Sequence, residues 1–354
     1  MSKFFTDRLS NLVPYVPGEQ PQGREFVKLN TNESPFPPSE NVLKAVSGEV
    51  EKLKLYSDPE CTALRLQMSK VYGVDPEWII MNNGSDETLN FAFMAFSDEK
   101  HPLAFPDITY GFYPVFAELN HIAYQEIPLA EDFSINVEDY IGIDKTIVIA
   151  NPNAPTGRFM PLADIERILT SNPDNIVIVD EAYIDFGGDS AVSLVKKYSN
   201  LLVIGTFSKS RSMAGVRLGF GIADPELIAD LNTIRYSTNP YNINRLTSEA
   251  GIAALKEQSY YDNNCRTIIE NRAWTVNALK ELGFEVIPST ANFVFAKSND
   301  IDGEKLYLEL KKKGVLIRHF TKERIKDYNR ITIGTMDQMK ILIEKIKEIK
   351  EENK

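Results

Sequence analysis

The chain has 354 residues, 43% of them hydrophobic and 25% charged, with 19 Gly and 19 Pro. Those proportions exclude collagenous, low-complexity and largely disordered chains. Its 39 Lys and Arg against 50 Asp and Glu leave a formal charge of −11. Nucleic-acid backbones and anionic membrane surfaces need clustered cations, so neither is an expected partner. A small-molecule ligand is the expectation, with any anionic group held by a few placed Arg, Lys or backbone N–H groups. Cys61 and Cys265 stand alone, and His101, His121 and His319 form no H-x-x-x-H pair. No metal signature follows, and two isolated thiols suit a reducing compartment. The opening Met1-Ser-Lys-Phe-Phe-Thr-Asp-Arg8 has no signal-peptide core. No apolar run approaches the about 20 residues of a bilayer helix, so a cytoplasmic protein is expected.

In chain order, the stretch from Ser85 to Phe96 reads as a helix opened by Asn82-Asn-Gly84. Thr146-Ile-Val-Ile-Ala150, Ile176-Val-Ile-Val-Asp180 and Leu201-Leu-Val-Ile-Gly205 are continuous apolar runs, as strands covered on both faces are. Between the first two, Leu162, Ile165, Ile168 and Leu169 repeat at helical spacing. Strand, helix, strand at this spacing predicts parallel strands joined by right-handed crossovers. Pro225 to Arg235 is a further helix. After about residue 245 the pattern changes. Long amphipathic helices over roughly 247–281 lead to apolar runs at 283–288 and 291–296 and a helix over 305–313. A strand at 314–318, one at 329–334 and a charged helix over 338–350 complete the chain. The fold class is therefore α/β, a large mostly parallel sheet followed by a smaller α+β unit.

Three of the strands end in polar residues. Ala150 leads into Asn151-Pro-Asn-Ala-Pro-Thr-Gly157, the second run into Asp180-Glu-Ala-Tyr183, and the third into Thr206-Phe-Ser-Lys209. Strand C-termini in an open parallel sheet converge on one crevice, where ligands bind. Asp180, at the end of a buried strand, calls for a cationic partner. Lys209 follows an apolar strand, where partial desolvation makes an amine a good nucleophile. Arg217, within Met213-Ala-Gly-Val-Arg-Leu-Gly219, offers a fork for phosphate. Gly84-Ser85 at a helix start presents free N–H groups to an anion. A carboxylate for a pyridinium nitrogen, a lysine for an aldehyde and an anion cradle together describe a site for pyridoxal 5′-phosphate.

These motifs, in this order and spacing, resemble the fold-type I aminotransferases of class I/II, from Leu29-Asn-Thr-Asn-Glu-Ser-Pro35 to Arg330-Ile-Thr-Ile-Gly-Thr335. The Asn30 opening, Tyr56-Ser-Asp-Pro59 and the compact length are most similar to the group acting on histidinol phosphate. The resemblance implies a pyridoxal-phosphate domain over 30–245 and a small domain made of 1–29 plus 246–354. It implies that Lys209 carries the cofactor's aldehyde and moves a proton, and that Asp180 keeps the pyridine nitrogen protonated. Asn153 and Tyr183 are expected on the ring's 3′-oxygen and Tyr110 on its face. Gly84, Ser85, Asp86, Thr206, Ser208 and Arg217 are expected at the phosphate. Tyr56 is expected to reach the neighbouring subunit's cofactor, which implies a homodimer with shared sites. Arg330 matches the arginine that grips the substrate's anionic group, with Arg318, Tyr15 and Asn32 as further substrate contacts.

Two departures stand out. Arg211, where relatives carry small or apolar residues, reads as an extra cation near the phosphate, and Arg245 as a residue shaping the substrate pocket. The implied reaction exchanges an amino group between L-histidinol phosphate and 2-oxoglutarate. An aromatic or broad-specificity transaminase and a decarboxylase of a phosphorylated amino acid would share this cofactor set. A non-enzymatic sensor lacks a basic module to house it, and Gly215-Val-Arg-Leu-Gly219-Phe-Gly221 does not match the dinucleotide pattern G-x-G-x-x-G.

Overall fold

A computed structural model describes residues 2–21, 23 and 25–353. Strand β1 (Val27–Lys28) comes first. It is followed by β2 (Ile79–Asn82), β3 (Leu103–Pro106), β4 (Tyr124–Ile127), β5 (Thr146–Ala150), β6 (Val177–Asp180), β7 (Leu201–Thr206) and β8 (Gly219–Ala223). These last seven form the central sheet, in spatial order β2-β8-β7-β6-β5-β3-β4. Six strands run parallel, and β8 runs against both of its neighbours. Strands β5, β6 and β7 are buried along their whole length. Burying each Val, Ile or Leu stabilises the fold by about 1.5–3 kcal/mol, which explains why these runs carry no polar face. The helix at Leu162–Ser171 covers them with Ile165, Ile168 and Leu169.

The chain then adds β9 (Phe284–Ile287), β10 (Phe293–Ser298), β11 (Val315–Leu316), β12 (Arg318–His319) and β13 (Tyr328–Thr332). Four of these make an antiparallel sheet ordered β12-β13-β10-β9. Long helices at Gln258–Glu281 and Met336–Glu352 pack on it through Ile268, Leu279, Leu342 and Ile346. The run expected as one strand over 314–318 is divided. Val315 and Leu316 pair in parallel with Val27 and Lys28, whereas Arg318 and His319 pair with Arg330 and Asn329. The break lets one run tie the early chain to the small sheet. The long helices expected over roughly 247–281 are Arg245–Leu255 and Gln258–Glu281. Among the described residues no helix is long and apolar enough to cross a membrane.

Register explains where the site lies. Ala150 pairs with Asp180, Asp180 with Ile204, Thr206 with Gly219 and Gly219 with Asn82. The ends of β2, β5, β6 and β7 and the start of β8 therefore share one edge of the sheet. Gly219 has to be glycine there, because a Cβ would sit 2.3 Å from both the Gly84 carbonyl carbon and the Ser85 nitrogen. Gly84 itself has φ +82°, and its Cβ would meet Arg217 Nη2 at 2.7 Å. Gly219→Ala should cost about 1–3 kcal/mol through overpacking, read as a lower urea midpoint with an unchanged slope. An unaltered midpoint would remove the close-approach argument.

Candidate active site

A cavity of about 370 Å³ opens on this edge, lined by Ser85, Asp86, Tyr110, Asp180, Tyr183, Thr206, Ser208, Lys209 and Arg217 among others. A neighbouring cavity of about 430 Å³ shares Thr31, Tyr110, Ala154, Tyr183 and Lys209 with it and reaches Tyr15, Arg318 and Arg330. The two adjoin at the amine of Lys209.

Asp180 is buried, and its carboxylate accepts from Tyr113 Oη at 2.9 Å and from the Ala182 N–H at 3.2 Å. Burial pushes its carboxyl up to about 6, and the Tyr113 hydroxyl only partly offsets this. The cationic partner expected from sequence is absent from the protein: among the described residues no ion pair reaches Asp180 within 4.0 Å. Lys209 lines the same cavity and its charge acts on Asp180 only from beyond ion-pair distance. A buried carboxylate with no cation in direct contact fits a ligand that brings its own, as a protonated pyridine does. Lys209 Nζ donates to the Thr31 carbonyl at 3.4 Å and lies 5.6 Å from the centre of the Tyr183 ring. The Tyr183 hydroxyl accepts from Asn32 Nδ2 at 2.9 Å.

At the other end, Gly84 caps the helix Ser85–Phe96, so that helix points its unpaired N–H groups at the cavity. Thr206 Oγ1 donates to Ser208 Oγ at 3.0 Å, and Arg217 Nη2 lies 3.1 Å from Asp86 Oδ2. Tyr110 donates to the other Asp86 oxygen at 2.8 Å, and burial raises its phenol well above the ordinary range. Hydroxyls, helix N–H groups and a guanidinium at one end, with a lysine and a cation-free carboxylate at the other, fit pyridoxal phosphate end to end.

Arg330 is the anchor of the outer cavity. Its Nη2 donates to the Asn30 carbonyl at 2.9 Å, while Nε is buried without a hydrogen-bond partner. The ionisable groups that bear most on it are three phenols, Tyr183, Tyr15 and Tyr110, and the Arg318 guanidinium, and among the described residues no carboxylate forms an ion pair with it. Arg318 stands opposite it in the β12–β13 pair, donating to the carbonyls of Val16 at 3.2 Å and Pro17 at 3.4 Å. Tyr15 stacks on Phe112 at 4.2 Å, and burial raises its phenol against the opposing pull of the two arginines.

Several expected residues lie elsewhere. Asn153 lines neither cavity: its amide donates to the Ile108 carbonyl and Thr156, and its oxygen accepts from Thr109. Ala154, next in the chain, faces both cavities instead. Asn32 also lines neither, being spent on Tyr183 and on Thr332 Oγ1. Tyr56 is 80% exposed, stacked on Tyr241 and away from its own chain's cavities. Arg211 is not near the phosphate cradle; it is buried against Gln258 and the Tyr261 ring. Arg245 pairs with Glu49 and the Tyr56 carbonyl, outside both cavities. Tyr113, Thr31 and Glu33 went unforeseen. For Tyr113 a signal existed, since it stands three residues after Tyr110, across the turn that opens the helix Phe112–Leu119.

The sequence profile of "Aminotransferase class I and II" matches residues 24–346, and the chain belongs to that family of pyridoxal-phosphate enzymes. The histidinol-phosphate aminotransferase of Brachyspira hyodysenteriae is 48% identical over 351 residues, 99% of each chain. The crystal structure of the histidinol-phosphate aminotransferase from Clostridium acetobutylicum superposes with a TM-score of 0.85 at 26% identity, covering 92% of this chain and 99% of that one. The fold also matches that of the Sinorhizobium meliloti histidinol-phosphate aminotransferase solved with pyridoxal-5′-phosphate, with a TM-score of 0.88 at 22% identity over 99% of both chains.

Asp180 makes the cofactor-free protein pH-sensitive in a defined direction. Its folded carboxyl, near 6, lies above the ordinary 3.8, so the folded form binds the proton more tightly than the unfolded one. That contribution is complete below about pH 4 and is lost as pH rises through 6, a swing of roughly 3 kcal/mol. Asp180→Asn should flatten this part of the stability–pH curve of the cofactor-free protein, followed by denaturant unfolding at stepped pH.

Proposed function

We propose that this chain is a pyridoxal-phosphate transaminase that moves an amino group between L-histidinol phosphate and 2-oxoglutarate, as part of histidine biosynthesis. The observation that carries the choice of substrate is Arg330, a half-buried guanidinium that among the described residues has no carboxylate partner, opposite Arg318 on a cavity shared with Lys209. Two guanidinia suit the dianionic phosphate of one substrate and a carboxylate of the other. The names of full-length relatives at 45–48% identity point the same way.

In this reading pyridoxal phosphate supplies the electron sink that makes a substrate Cα–H acidic. Lys209 Nζ would hold the cofactor and, when released from it, would move the proton at the substrate Cα. Asp180 holds the ring nitrogen's proton, with Tyr113 fixing the carboxylate. Tyr183 donates to the ring's 3′-oxygen, oriented by Asn32, while Tyr110 covers a ring face. Ser85, Asp86 (through its N–H), Thr206, Ser208 and Arg217 hold the phosphate, and Gly84 leaves room for Arg217. Asn153 acts only by shaping the 151–157 turn. Tyr15 closes the outer cavity over the substrate.

The reading also takes 30–245 as the cofactor-binding domain and 1–29 plus 246–354 as the small one, in a cytoplasmic homodimer. The exposed Tyr56, set among exposed Leu53, Leu55 and Tyr241, would then reach the partner's phosphate site. Under this arrangement, mixing Lys209→Ala with Tyr56→Ala protein recovers part of the activity that each lacks, because hybrid dimers hold one intact site. No recovery, or a monomer by sedimentation, rules the shared site out.

The decisive assay follows cofactor absorbance. Histidinol phosphate should convert the lysine-linked form to the amine form, 2-oxoglutarate should reverse it, and Lys209→Ala should lack the starting band. Arg330→Ala should raise KM for histidinol phosphate by roughly 30-fold or more, the cost of a lost buried charge contact. A response to phenylalanine or tyrosine alone would indicate an aromatic transaminase. Release of CO₂ without consumption of glutamate would indicate a decarboxylase.

A further inference from the structure

One carboxylate on the cofactor cavity has no task in the chemistry above. Glu33 lines the same cavity as Lys209. Lys209 Nζ donates to the Thr31 carbonyl at 3.4 Å, and Thr31 Oγ1 donates to Glu33 Oε2 at 2.7 Å. Lys28 Nζ donates to Thr31 Oγ1 at 2.6 Å and forms an ion pair with the same Glu33 oxygen. Lys28 is in turn set by strand β1, which pairs in register with β11. Between Thr31 and Glu33, Asn32 adopts the left-handed conformation, φ +56°, with its N–H and side chain tied to Thr332 and Tyr183. The segment is thus fastened on both sides, and its carboxylate cannot swing freely.

We propose that Glu33 is a positioning residue for Lys209, holding the Thr31 carbonyl against the amine and supplying a fixed negative charge that favours the cationic state of the Lys209 nitrogen, with Lys28 as the counter-ion that tempers this charge. The proposal rests on the reading of Lys209 as the lysine that carries the cofactor. A transaminase lysine needs such tuning, because its nitrogen alternates between cationic and neutral states as it binds the cofactor, is displaced and moves a proton.

The other ionisable groups around Lys209 have other partners. Asp180 and Tyr183 approach from the end of β6, where Asp180 is committed to Tyr113 and the ring end of the cavity. Asp86 faces the cavity from the helix Ser85–Phe96 but is paired with Arg217 and Tyr110. Arg318, Arg330 and Tyr15 line the adjoining cavity. Glu33 is ionised at neutral pH: burial opposes this, but hydrogen bonds from Lys28 and Thr31 and the charges of Lys28 and Lys209 outweigh it and hold the carboxyl below its usual range. Its side chain is 40% exposed, so solvent weakens its reach and a modest effect is expected.

The test is a pH titration of the absorbance of the lysine–cofactor linkage in the reconstituted full-length protein. Glu33→Gln removes the negative charge and should move the midpoint down by about half a pH unit. Lys28→Met leaves Glu33 without its counter-ion and should move the midpoint up by a similar amount. Glu33→Asp, which keeps the charge, should return the midpoint towards that of the unaltered protein. Loosened packing gives no reason for the two charge-removing variants to shift in opposite directions. Unchanged midpoints, or shifts of one sign in both variants, would overturn the proposal. If Glu33→Gln does not fold, Lys28→Met decides alone, since an unmoved or lowered midpoint overturns it equally. Absence of any lysine-linked band in the unaltered protein would instead overturn the assignment of Lys209, and the proposal with it.

Discussion

A carboxylate buried at the end of a β-strand, with only a phenol and a peptide N–H for partners, is the constraint on which the site depends. Asp180 is 5% exposed, and burial has pushed its carboxyl to about 6. A fold retains such a group when something else repays the desolvation, because a charge without compensation inside a protein costs several kcal/mol. Tyr113 and Ala182 supply part of the return, and on the proposed reading the cofactor's ring nitrogen supplies the rest. The surrounding construction serves this one group. β6 is apolar along its length so that Asp180 can be presented at its end. Tyr113 lies at 0% exposure under Phe93 and Phe105, which fixes its hydroxyl against the carboxylate.

On the proposed reading the same edge also holds an anion, in a chain whose net charge is −11. Long-range attraction cannot do this, so the cations are local and few. Helix N–H groups cost no side chain and carry no counter-ion, and the hydroxyls of Thr206 and Ser208 add donors without adding charge. Arg217 is held in reserve on Asp86. The outer cavity uses a different device. There Arg318 and Arg330 face each other across two strands, and Arg318 spends its donors on the carbonyls of Val16 and Pro17. Like charges opposed in a sheet repel, so the pair stores a demand for an anion between them.

What could be read from sequence follows from how each element earns its burial. β5, β6 and β7 are buried on both faces, so they appear as unbroken apolar runs, and Asp180, Thr206 and Lys209 stand out at their ends. β8 is equally buried but is hidden behind Gly219 and Gly221, which make room for Gly84 and for Ile80 and Thr88. β3 ends in a proline and β4, Tyr-Gln-Glu-Ile, is exposed over its first three residues, so neither makes the unbroken apolar run that marks β5, β6 and β7. Side-chain direction was the larger loss. In Asn151-Pro-Asn-Ala-Pro the sequence points to Asn153 as the group facing the ligand, whereas its amide ties the turn to the Ile108 carbonyl and the Thr156 hydroxyl and Ala154 lines the cavity. Arg211 and Arg245 failed for a related reason. Charge alone does not say whether a side chain points into a site or helps close a buried gap, as Arg211 does against Tyr261.

The segment from Lys28 to Glu33 shows how the two sheets become one site. Its first residues pair with β11, and Thr332 N–H donates to the Leu29 carbonyl, which continues the attachment to the small sheet. From there it crosses to the central sheet's edge, where the Asn32 amide meets Tyr183 and the Thr31 carbonyl meets Lys209. Asn30 meanwhile gives its carbonyl to Arg330 and its amide to the Glu19 carbonyl of the early chain. Six residues thus touch the lysine, the phenol and the substrate-side arginine together. A displacement of β13 against the central sheet cannot occur without moving this strap, and moving the strap alters the surroundings of Lys209. Arg330 and the amine of Lys209 are therefore linked through backbone, over a path only two hydrogen bonds long, and on the proposed reading this couples the group that grips substrate to the one that acts on it.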